Sequence, residues 1–187
     1  MNQNEKQHIV ELLCTSEPEN IALAQAFCDS QNFPLETILR EFGYWDVGIR
    51  CGADFSESRL NCAHLGLEKL PDLLPASLVV LYCFDNRLRT LPNLPIKLQW
   101  LYCGYNQLTA LPPLPNSLTE LNCFHNQLSN LPFLPKNLTS LNCYNNQLSA
   151  LPELPSTLKW LYCYNNPLSI SIDQIKQLAP ESCIIRA

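Results

Sequence analysis

Ten cysteines stand in this chain of 187 residues, and five of them, Cys83, Cys103, Cys123, Cys143 and Cys163, follow one another at intervals of twenty. Thiols can act as nucleophiles, bind soft metals or cross-link. No CxxC pair occurs, so zinc-ribbon and thioredoxin spacings are absent. The histidines are His8, His64 and His125. His64 and His125 share a register with Asp85 and Tyr105, so a His64–Asp85 contact is open to the spacing. No nucleophile shares that register, and the pair reads as a surface contact. There is no HExxH, no GxSxG and no glycine-rich phosphate loop; the five glycines are scattered. These observations predict a chain that is not an enzyme.

The regularity of the cysteines belongs to a repeat. Copies aligned on Leu81, Leu101, Leu121, Leu141 and Leu161 each begin L-x-C-x-x-N-x-L, and the complete ones continue x-x-L-P-x-L-P-x-x-L-x-x. An atypical copy starts at Leu60, one residue longer and with Leu65 in place of the asparagine. Such deviation suits the end of a solenoid. In a strand, residues one and three face the same way. Leucine and cysteine therefore point inward, and stacked copies form a parallel sheet. Asn86, Asn106, Asn126, Asn146 and Asn166 stand where the chain leaves the strand, and their amides can satisfy the backbone groups freed there. In LPxLP, two prolines three apart exclude helix and interior strand, so the return path is expected to be extended and polyproline-II-like.

Stacking also decides the cysteines. Adjacent in-register strands bring Cα atoms to roughly 4.8 Å, inside the general disulfide window. Both Cβ atoms point the same way, however, which fits the bond poorly, and a straight row of thiols is no tetrahedral cage. The column is expected to be packing, with no cofactor and no metal.

The repeats resemble the LPX subclass of bacterial leucine-rich repeat proteins, over about residues 60–168. That subclass includes effectors delivered into host cells by type III secretion, among them the recognition domains of secreted ubiquitin ligases. The strand cysteine departs from it, since Val, Ile or Leu is more usual there; buried cysteine serves equally as a small hydrophobe. The ligase relatives use a catalytic Cys-x-Asp in a separate domain. The chain contains Cys83-Phe84-Asp85, but Cys83 is inward and only nineteen residues follow Leu168. Ligase activity is therefore not expected. The resemblance implies a leucine-rich repeat solenoid, α/β by convention, with strands on the concave side.

The flanks read as caps. Residues 1–58 are expected to form a helical N-terminal cap and connector. Ser16 and Glu19 have capping-box spacing, Pro34 suits an early helix position and Gly43 a helix end. Residues 59–187 are expected to form the solenoid with a C-terminal cap: a helix from near Ser171 or Asp173, then a strand at Glu181-Ser182-Cys183 in the repeat register.

The expected function is protein binding through the concave face. Outward strand positions carry Tyr82, Tyr102 and Tyr162 with Asn61, Asn122 and Asn142; then Phe84, Phe124, Tyr144 and Tyr164 with Ala63 and Gly104; then Tyr105 and His125. Trp100 and Trp160 stand just before their strands. Six of the seven tyrosines lie on this face, a composition suited to recognition. Columns of rings would also stiffen the sheet. A carbohydrate or peptide ligand is the alternative. The net charge of −5 and the lack of a Lys/Arg cluster argue against nucleic acid and anionic membrane. The N-terminus lacks a signal-peptide layout, and no apolar run reaches membrane-helix length. A soluble monomer, cytoplasmic or delivered into a host cell, is expected.

Overall fold

The computed structural model describes residues 58–186 apart from 71–73 and 75. The expected helical cap, with Ser16, Glu19, Pro34 and Gly43, lies outside the described residues. Within them the chain winds through β1 (Arg59–Asn61), β2 (Val80–Tyr82), β3 (Trp100–Tyr102), β4 (Glu120–Asn122), β5 (Ser140–Asn142), β6 (Trp160–Tyr162), helix α1 (Ile172–Leu178) and β7 (Ile184–Arg186). The strands form one parallel sheet in chain order.

The central leucine of each repeat strand is 0 % exposed, and its cysteine two residues on is fully buried or nearly so. Leu88, Leu108, Leu128 and Leu148, with Leu98, Leu118, Leu138 and Leu158, complete one core running the length of the stack. Each fully buried leucine contributes about 1.5–3 kcal/mol, and each touches the next coil, so stability propagates from neighbour to neighbour. The LPxLP segments are neither helix nor strand. Each ends in a tight turn in which a leucine N–H donates to a proline carbonyl: Leu98 to Pro95, Leu118 to Pro115, Leu138 to Pro135 and Leu158 to Pro155, all at 3.0 Å.

The strands are shorter than expected and begin one residue earlier. Trp100 and Trp160 are the first residues of β3 and β6 rather than residues preceding them. Each repeat strand ends at position two, although the cysteine N–H still reaches the next coil, as in Cys103 to Asn122 O at 2.8 Å. Positions four and five therefore lie in a turn. All six residues at position five, His64, Asp85, Tyr105, His125, Asn145 and Asn165, have φ between 49° and 60°. This left-handed step swings the chain off the sheet.

The C-terminal end follows the expected order with a shifted register. Ser171 caps α1, and Gln174 returns the bond to the Ser171 N–H, forming a capping box. Ile175 plugs the core. The last strand is Ile184–Arg186 rather than Glu181–Cys183: Leu161 pairs with Ile185, and Cys163 has no cysteine opposite it. The helix replaces an LPxLP return and brings the chain back four residues later, which puts the apolar Ile185 in the inward place. Cys183 is half-buried and packs against the end of the core.

Candidate functional site

The asparagine column fixes the turn from which the outer-face residues project. Asn126 Nδ2 donates to Cys103 O at 3.0 Å, Cys123 O at 3.1 Å and Phe124 O at 3.3 Å, and its Oδ1 accepts from Leu108 N at 2.9 Å. Asn106, Asn146 and Asn166 repeat this set, and Asn86 extends it to Leu65 and Leu67. Every amide thus joins its own coil to the preceding one. Without that bonding the left-handed turn would strand buried carbonyls at about 1–3 kcal/mol each.

The expected aromatic positions gather into clusters, the largest joining Tyr105 and His125 to Phe124 and Tyr144 edge-on. Phe124, Tyr144 and Tyr164 stack continuously, with centroids 4.8 Å and 4.5 Å apart. Tyr82 and Tyr102 stack at 4.8 Å, and Tyr105 lies over His125 at 4.4 Å. Phe84 meets His64 edge-on and is separated from Phe124 by Gly104. Tyr162 faces the Arg186 guanidinium, 5.8 Å from the ring centroid. Burial, then the neighbouring phenols, raises the Tyr144 hydroxyl pKa. The row at position five is zipped as well: His64 Nδ1 meets Asp85 Oδ2, and Asn165 Nδ2 donates to Asn145 Oδ1, whose own Nδ2 bonds His125. The His64–Asp85 pair is exposed.

Two strands interrupt this aromatic surface. Between Trp100-Leu101-Tyr102 and Trp160-Leu161-Tyr162 lie Glu120-Leu121-Asn122 and Ser140-Leu141-Asn142. Glu120 stands in register beside Trp100, and burial, then the neighbouring Glu120 carboxylate, pushes the Tyr102 pKa up. Asn122 Oδ1 and Asn142 Oδ1 are buried with no hydrogen-bond partner. Glu120 and Gly104 were not among the expected site residues, although the change from Trp to Glu and Ser and back to Trp at twenty-residue spacing is visible in the sequence.

The described cysteines are free thiols. Burial drives the pKa of Cys83, Cys123 and Cys143 upward, that of Cys103 to about 12 and that of Cys163 to about 11. A nucleophile needs the opposite shift, so Cys83, and with it the Cys-Phe-Asp tripeptide, is chemically quiet. Among the described residues no group of three or more His, Cys, Asp or Glu could hold a metal ion. No described helix is long and apolar enough to cross a membrane.

Residues 96–136 and 116–156 match the family model for leucine-rich repeats in two copies. The fold is a leucine-rich repeat solenoid. The leucine-rich repeat domain of a Shigella effector is 38% identical, with a TM-score of 0.60 over 66% of this chain and 54% of that one. YopM from Yersinia enterocolitica is 31% identical at a TM-score of 0.59, covering 69% of this chain and 32% of that one. YopM from Yersinia pestis, a leucine-rich effector protein, is 32% identical at a TM-score of 0.56, covering 70% of this chain and 42% of that one. This solenoid therefore spans about half or less of each of those structures. Among curated proteins none matches.

Proposed function

We propose that this leucine-rich repeat solenoid is a non-enzymatic protein-binding module of the LPX type, acting as a bacterial effector or adaptor on a protein partner. The observation that carries this reading is the Phe124–Tyr144–Tyr164 stack at the turns that follow β4, β5 and β6. Rigid, half-exposed aromatic side chains lose little entropy on binding and are the usual anchors of protein interfaces. The likeness to Shigella and Yersinia effector domains adds support. In this reading residues 1–58 cap the solenoid at 59–187, the module is monomeric, and neither nucleic acid nor membrane is a partner. It works in the cytoplasm of the bacterium or of a host cell.

A carbohydrate ligand is less well supported. Sugar-binding platforms offer a free ring face, whereas the middle ring of this stack has both faces covered by its neighbours. Affinity capture from lysate with mass spectrometry tests the reading. Tyr144→Ala and Phe124→Ala should each weaken capture by about thirtyfold, the equivalent of about 2 kcal/mol, while Glu153→Ala on the proline side leaves it unchanged. Normal capture by both aromatic variants, combined with early melting, would make the stack a stiffening column and refute the proposal.

A further inference from the structure

We propose that strands β3 to β6 form a notch for a basic side chain of the partner, arginine above all, between the walls of Trp100 and Trp160. The inference rests on the protein-binding reading and names the chemistry of what is bound.

The floor of the notch holds a carboxylate and two asparagine side chains whose amide oxygens lack donors. Glu120 and Asn122 are neighbours on one face of β4, and Asn142 lies beside Asn122 in register on β5. Strand geometry puts these three positions within about 8 Å of one another. The Glu120 carboxylate has lone pairs for several donors, and its polar neighbour is the Tyr102 hydroxyl, whose pKa it raises, second to burial. Among the described residues no cation pairs with it. The two asparagine oxygens are buried and unpartnered in adjacent coils. An unpaired buried carbonyl is costly, and that cost falls when a donor parts the covering side chains and reaches it. The cost is therefore a reserve available to a ligand that brings N–H groups.

A guanidinium matches that description. It carries five N–H donors in a planar fork and no acceptor, pairs with carboxylate and stacks on aromatic rings. The same row of the sheet already holds one, Arg186 over Tyr162. The walls are three strand spacings apart, roughly 14 Å, enough to admit a short segment of chain with its side chain on the floor. The chain's net charge of −5 favours the approach of a basic surface.

The test is an NMR titration of the isotopically labelled full chain with acetyl-Ala-Arg-Ala-amide. The norleucine and glutamate analogues and methyl glucoside serve as comparisons. The arginine peptide alone should shift the Asn122 and Asn142 side-chain amides and the Trp100 indole N–H saturably. Glu120→Gln should weaken that binding about fivefold, the effect of removing one charge at a half-exposed site. Equal binding of norleucine, preference for glutamate or the sugar, or an unaffected Glu120→Gln would overturn the notch. If Tyr144→Ala abolishes partner capture while the arginine peptide does nothing, the notch fails alone. If the peptide binds as expected but the stack variants capture normally, the notch stands and the role of the stack fails.

Discussion

The ring of Phe124 occupies the space that a side chain at Gly104 would fill: a Cβ there would stand 2.6 Å from Phe124 Cε1 and 2.7 Å from Cδ1. Glycine at this one coil lets Phe124 lean across to meet Tyr105 edge-on while stacking on Tyr144. Gly104→Ala should force the ring off its seat and cost about 1–3 kcal/mol, as overpacking does. In the Phe124→Ala background the same change should cost little. A double-mutant cycle by thermal melting checks this, and additive costs would contradict it.

Replacement of Asn126 by Ala removes four hydrogen bonds from a buried turn. The expected loss is about 1–3 kcal/mol, read as a lower denaturation midpoint. Asn166 makes the equivalent bonds but is only half-buried. Water can replace part of what Asn166→Ala removes, so its loss should be smaller.

Thiol reactivity should be graded along the solenoid. Cys183 is the most accessible of the described cysteines and should react with a thiol reagent before the others among them under native conditions. The column Cys83 to Cys143 should react only on unfolding. A fast native reaction at Cys103 or Cys123 would contradict the buried column.

The same thiols make the solenoid sensitive to alkali. Burial raises their folded pKa above that of a free thiol, to about 11 for Cys163 and about 12 for Cys103. A raised folded pKa means the folded state holds protons that the unfolded chain releases. The stabilisation is complete below pH 9 and is lost as pH rises through the folded values. Melting temperature under reducing conditions should therefore fall between about pH 9 and pH 12, and Cys103→Val should flatten that fall.

Tyr105 has φ of 49°, a strained conformation for a bulky residue. Tyr105→Asn should relieve about 1 kcal/mol of that strain and lose a comparable amount from the His125 stack. Its stability should stay near that of the natural chain. Tyr105→Val keeps the strain, adds β-branching and loses the stack, so it should melt earlier than Tyr105→Asn.

Much of this architecture was legible because it is periodic. Leu101, Cys103 and Asn106 recur at twenty residues, and strand alternation alone puts the first two inside. Pro112 and Pro115 excluded a helix on the return path. The left-handed turn was less legible, because Tyr105 hides among residue types that tolerate it, namely His64, Asp85, His125, Asn145 and Asn165. The clasp of Gly104 and Phe124 depends on the lean of a ring, which spacing does not encode. The last strand slipped because helix α1 consumes residues at a different rise per residue from the segment that it replaces. The acceptors of Asn122 and Asn142 became notable only when their coils showed no donor for them.

The asparagine bonding has a bearing on descent. Each Asn amide touches only its own coil and the one before it, so duplication of a twenty-residue segment would recreate every bond at the new junction. A duplication between β4 and β5 would leave the ladder whole yet carry Trp160 one further strand spacing from Trp100. Unequal recombination can thus resize the outer face in fixed increments while the scaffold is conserved, and a lineage can remodel that face without first losing its fold.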